Sequence, residues 1–223
     1  MPRRTALSEL EWERLLALPT DEEDLIREYT FASDEMTLIR RHRGDANRLG
    51  FAVQLAYCRY PGIALGTADP APQIVQIVAE QLSVRPDLWV DYGRRDETRR
   101  EHAAELRTTL GMRTFTAAVG ADAVDTLAEL AAQTDTASVI ATEAVSLLRM
   151  WNVFLPAVKS LDEIVAIAIT RGNTSVYDAL TEELTDSHRR ALDGLLRSRD
   201  GGSMTRLTWL RQSPLKPNSR AMR

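Results

Sequence analysis

An all-α fold, built as one or more multi-helix bundles with helix-turn-helix-like modules, is predicted by three observations. Apolar residues recur at three- and four-residue spacing through most of the chain, the signature of amphipathic helices. Helix-starting Ser, Thr and Asp precede these runs, and Pro or Gly follows them. No convincing period-two alternation marks a strand anywhere in the 223 residues.

In chain order, Ser8 and Glu11 form a capping box ahead of Leu10, Leu15, Leu16 and Leu18, and Pro19 ends that helix. An acid-rich helix runs from Asp21 to about Tyr29, and Ser33 is expected to cap SDEMTLIRRHR, closed by Gly44. Asp45 is the expected cap of the next and most informative stretch, RLGFAVQLAYCRYPG at 48–62. Leu49, Ala52, Val53, Ala56, Tyr57 and Tyr60 make one apolar side, while Phe51, Leu55 and Cys58 make the other apolar as well. Such a helix must be enclosed by others. Pro61 ends it, having no amide hydrogen for the ladder.

After a loop at 63–72 comes PQIVQIVAEQLSV, then Trp89 and Tyr92 as core anchors, then a long helix from about Arg94 to Leu110 closed by Gly111. Two alanine-rich helices follow between Ala121 and Pro156. SLDEIVAIAITRG and SVYDALTEELT are expected to be two separate helices, and Thr185 caps DSHRRALDGLLRS. Texture changes near 115–120, so residues 1–118 and 119–223 are the expected modules.

Composition sets bounds. A hydrophobic fraction of 44% and a charged fraction of 27% fit an ordinary globular chain with a real core. No segment approaches the ~20 apolar residues of a membrane span, and no signal peptide is visible. One cysteine, Cys58, leaves no disulfide framework and fits a reducing cytoplasm. The net charge of −4 conceals alternation: residues 1–35 balance at −6, 36–120 at +3, 121–187 at −8 and 188–223 at +7. Apart from Lys159 and Lys216, every basic residue is arginine. Bidentate phosphate or guanine contacts explain that bias, and a GC-rich genome explains it equally.

Catalytic chemistry leaves no trace. His42, His102 and His188 are dispersed, and no zinc, calcium, Walker or dinucleotide spacing occurs. No cofactor or metal is therefore expected. Two readings stay open for Arg95, Arg99 and His102, which share a helical stripe beside Glu97, Glu101 and Glu105. One is a solvated helix laced with ion pairs; the other is a stripe that follows phosphates.

An ordered series of segments is more specific. LSELEWERLLALP is followed by EYTFASDEMTLIRRHRGDANRLGFAVQLAYCRYPG, PQIVQIVAEQLSV and the Tyr92, Arg95, Thr98, Arg99, His102 pattern. LLRMWNVFLPAVKSLDEIV, LTDSHRRALDGLL and TRLTWLRQSPLKPNSRAM come later. Together these resemble the N-terminal region of Tn3-family transposases, the replicative transposases of bacterial transposons. The resemblance implies a pair of helical DNA-binding domains that recognise the transposon's terminal inverted repeats. It places the Asp-Asp-Glu active site in a much longer C-terminal part, and this sequence stops at Arg223 before it. Recognition without catalysis is the expectation, with double-stranded DNA as partner in a bacterial cytoplasm.

On that reading Arg40, Arg41, Arg43 and Arg48 hold phosphates, and Arg94, Arg95, Arg99, Arg100 and His102 form a second contact surface. Asn47 and Gln54 are candidates for adenine edges, or are satisfied within the core. A second reading makes the acidic block 121–187 an interaction module, docking on the rest of a transposase or on another copy without acting on DNA.

Overall fold

The stretch that is apolar on both sides becomes a fully enclosed helix. The structure, a computed structural model, describes residues 5–92, 96–134, 136–198 and 205–212. Among them every regular element is helical, and the two sheet-like pairs, Arg113 with Val153 and Ser198 with Thr205, are isolated. The chain divides into two compact units, Met1–Asn173 and Thr174–Arg223.

The first unit holds two hydrophobic cores. One surrounds α4 (Asp45–Arg59), in which every residue from Leu49 to Cys58 is buried. Its neighbours are α2 (Glu22–Tyr29), α3 (Ser33–Arg40), α5 (Pro72–Leu82), a 3-10 segment (Pro86–Asp91) and α6 (Asp96–Thr109). That ring of partners is what a helix apolar on both sides requires. The other core joins α7 (Ala117–Ala131), α8 (Ala137–Met150) and the start of α9 (Val158–Glu182).

The first helix in the sequence, α1 (Glu9–Leu15), belongs to this second core through Leu7 and Trp12. One carboxylate fastens it. Asp162 Oδ1 accepts from the Ala6 amide at 2.9 Å, the Leu7 amide at 3.1 Å and Trp12 Nε1 at 3.0 Å. Asp162→Ala strands three donors in partly dry surroundings, a loss of about 2–4 kcal/mol. Urea unfolding checks this, and a change below about 0.5 kcal/mol would show the anchor to be idle.

Between the cores, Gly62 and residues 113 and 152–155 exchange backbone hydrogen bonds. The Arg113 amide donates to the Asn152 carbonyl at 2.7 Å, and the Leu155 amide donates to the Gly62 carbonyl at 2.9 Å. Arg149 crosses the same seam: its Nε donates to the Pro61 carbonyl at 2.9 Å, and its guanidinium lies 4.7 Å from the Tyr60 ring centre.

Helix boundaries differ from the sequence expectation in several places: α1 ends at Leu15 rather than at Pro19, and three further differences have a local reason. Gly44, at φ 82°, takes the cap of α4 in place of Asp45, because the chain reverses there through a conformation that glycine adopts without strain. Ala32 takes the place of Ser33 at α3, and the Glu35 carboxylate accepts from its amide at 2.8 Å. The two helices expected at 160–172 and 175–185 are one, α9. Gly172 does not stop it. A Cβ there would lie 2.6 Å from the Ala131 carbonyl carbon, so this glycine lets α9 pass close to the end of α7.

The second unit contains the end of α9, α10 (Asp186–Leu196) and α11 (Arg206–Gln212). Thr185 caps α10, its Oγ1 accepting from the His188 amide at 3.3 Å. No residue of α10 is buried, and Tyr177, Leu180, Leu192 and Leu196 are exposed. Among the described residues, no helix is long and apolar enough to cross a membrane.

Candidate nucleic-acid interface

The junction between α3 and α4 is built by short-range polar bonds. The amides of Arg41 and His42 donate back to the Leu38 and Ile39 carbonyls, both at 3.2 Å, and tighten the end of α3. Asn47 Nδ2 donates to the Arg43 carbonyl at 3.0 Å. Arg48 Nε donates to the His42 carbonyl at 3.0 Å, while its Nη1 lies 3.4 Å from the Asp45 carboxylate. Asn47 and Arg48 therefore fasten the turn. Arg40, Arg41 and Arg43 stand on it, exposed, and their guanidinium groups have no hydrogen-bond or ion-pair partner among the described residues.

Beneath the turn lies a small aromatic cluster. The His42 ring sits 4.0 Å from Phe51 and 4.5 Å from His102 between ring centres. Its Nε2 is 3.7 Å from the Glu105 carboxylate, beyond hydrogen-bonding reach. Burial lowers the His42 pKa, with Glu105 opposing. His102, 7% exposed, stacks on Tyr92 and has its Nδ1 2.9 Å from the Tyr92 hydroxyl. Gln54, 4% exposed, donates through Nε2 to that same hydroxyl and to the Arg99 carbonyl. Because Gln54 donates to the tyrosine oxygen, the tyrosine proton is free for His102 Nδ1, which leaves that imidazole neutral. Burial pushes Tyr92 up to about 12. Burial, then the neighbouring His42, pulls His102 down to about 4.

The residues expected on the second surface separate. Arg94 and Arg95 lie outside the described residues. Arg99 turns back onto its own protein: Nη2 donates to the Gly66 and Ala68 carbonyls at 2.7 and 3.2 Å, and the guanidinium rests 5.6 Å from the Trp89 ring centre. It pins the loop ahead of α5. Arg100 alone of the described arginines in this group is exposed. It shares a groove with Arg107, which the sequence reading passed over although the two are seven residues apart on one helical face. The buried pair Gln54 and His102 holds the 3-10 segment and α6 against α4. Among the described residues, no three His, Cys, Asp or Glu side chains are grouped to hold a metal ion.

Comparison with known proteins gives a consistent picture. Residues 6–168 match a family described as Domain of unknown function (DUF4158). Over its whole length the chain is 52% identical to the transposase for transposon Tn21 of Escherichia coli, and it covers 23% of that protein. It is also 52% identical, again over its whole length, to the transposase for transposon Tn501 of Pseudomonas aeruginosa, covering 23% of it. A more distant relative, the transposase for transposon Tn1546 of Enterococcus faecium, is 28% identical over 96% of the chain and 22% of that protein. The chain thus spans less than a quarter of the length of these relatives. The chain belongs to the DUF4158 family, and its relatives are transposases of the Tn3 family.

Proposed function

We propose that this chain is the DNA-recognition part of a transposase and binds the terminal inverted repeats of its transposon in the bacterial cytoplasm. The observation that carries the reading is the α3–α4 turn. It presents three exposed arginines, Arg40, Arg41 and Arg43, while its own backbone is held by Asn47 and Arg48. A rigid turn carrying unpaired guanidinium groups suits phosphate contacts, which set the register in which a neighbouring element reads bases. Gln54, His102 and Arg99 then contribute by shaping the module rather than by touching DNA. Cutting and joining of DNA are assigned to other parts of a transposase.

The test uses a labelled duplex carrying a terminal inverted repeat, titrated at several salt concentrations. Arg40→Ala, Arg41→Ala and Arg43→Ala combined should weaken binding at least about tenfold. The slope of log K against log salt should flatten by about 0.9 for each phosphate that is no longer neutralised. An unchanged slope would remove the turn from the interface.

A second reading rests on the second unit, whose exposed Tyr177, Leu180, Leu192 and Leu196 suit an interaction surface. In it the chain docks on the rest of a transposase or on another copy. Light scattering that finds a strict monomer removes the self-association version.

A further inference from the structure

A groove in the first unit is walled on one side by Arg100, Ala103, Ala104 and Arg107 of α6. These lie at i, i+3, i+4 and i+7, so they share one helical face. Ile63, Phe154 and Leu155, all half-buried, line the same groove, as do the buried Gln54 and Cys58. The space measures about 530 Å³. Its lining contains two arginines and no carboxylate. Arg100 and Arg107 are both exposed, and neither guanidinium has a hydrogen-bond or ion-pair partner among the described residues.

From this arrangement we infer that the groove receives an acidic amphipathic helix of a partner protein. Two features specify that occupant. Ala103 and Ala104 leave a low, flat seat between the arginines, on which a second helix can approach to about 8–10 Å between axes. Arg100 and Arg107 stand about 10.5 Å apart along α6, which matches carboxylates one heptad apart on a helix lying alongside. Ile63, Phe154 and Leu155 receive that helix's apolar stripe. A DNA duplex fits less well, because its phosphates would satisfy the arginines yet gain nothing from Ile63 and Leu155. An extended peptide fits less well too, since no sheet edge is present among the described residues to pair with its backbone. The glutamates of α6 do not fill the role: none of them lines the groove, and Glu105 faces His42. The groove is therefore separate from the Arg40–Arg43 turn, and the inference does not depend on the DNA reading.

Fluorescence anisotropy of the full chain tests it with two labelled synthetic helices of about three heptads. Both carry the same Leu/Ala stripe; one has Glu at seven-residue intervals beside it, the other Lys at those positions. The protein should bind the Glu helix saturably and the Lys helix at least about tenfold more weakly. Arg100→Glu with Arg107→Glu should reverse the preference, with circular dichroism confirming an unchanged fold. Absence of saturable binding, or a preference that survives the charge reversal, overturns the inference. So does a loss of duplex affinity and salt slope in the double variant without any helix preference, because that would assign the groove to DNA.

Discussion

Gly50→Ala is expected to cost about 3 kcal/mol or more. Added Cβ atoms usually find slack, and overpacking ordinarily costs about 1–3 kcal/mol. Here there is none. A Cβ at Gly50 would lie 2.1 Å from Cγ and Cδ2 of Tyr92 and 2.3 Å from its Cδ1, so the ring lies directly on the backbone of α4. The ring is also held from elsewhere. Its hydroxyl is bound by Gln54 and by His102 Nδ1, its face stacks on His102, and Trp89 packs 5.3 Å away between centres. Moving Tyr92 by the ångström or more that a methyl needs breaks this set together. Thermal and urea unfolding should show the loss, accompanied by a tyrosine and tryptophan fluorescence change. A variant with near wild-type stability would mean that the 3-10 segment can lift away from α4 freely.

Acid should weaken the same region in a defined window. His102 in the folded protein takes up a proton only near pH 4, because burial and His42 disfavour its charged form, whereas in the unfolded chain it does so near pH 6.5. Its folded pKa is depressed, so as pH falls below about 6.5 the unfolded state binds the proton first. Stability is then lost progressively until about pH 4, where the folded form also protonates. The gap between those values corresponds to about 3 kcal/mol. His42 shifts in the same direction and adds to the slope, with Glu105 the nearest carboxylate opposing it. Urea unfolding between pH 7 and pH 4.5, on wild type and His102→Gln, isolates the effect: the variant should lose less stability across the window. Parallel curves would mean that His102 titrates normally in the folded protein.

Much of the fold was legible in the sequence, because the signals are local. The double-sided apolar pattern of residues 49–58 requires enclosure, and α4 is enclosed. Ser8 with Glu11 and Thr185 cap the helices they were expected to cap, since capping involves only residues three positions apart. Glycine was harder to read. Gly44 and Gly172 each carry the same residue type as a stop signal, yet one starts a helix at positive φ and the other marks a close crossing inside one. Only the neighbour in space tells these apart.

The candidate site divides the same way. Arg40, Arg41 and Arg43 adjoin in sequence, and all three are exposed. Gln54, Arg99 and His102 carry equally promising chemistry, but their polar atoms are spent on Tyr92 and on the loop at 66–68. Nothing in the spacing of α6 distinguishes Arg99, which turns inward, from Arg100, which opens onto the groove with Arg107.

The sequence by itself determined the all-α class, the buried helix at its centre and the family, because periodicity, caps and ordered segments are written along the chain. Tertiary structure decided which polar side chains remain free. It also placed the first helix in the second core, where Asp162 reaches back 156 positions to the Ala6 amide. A hydrogen bond over that separation exists only once the second hydrophobic core has brought its ends together. Packing around α4 excludes water from Gln54 and His102 and leaves it at Arg40, Arg41, Arg43, Arg100 and Arg107.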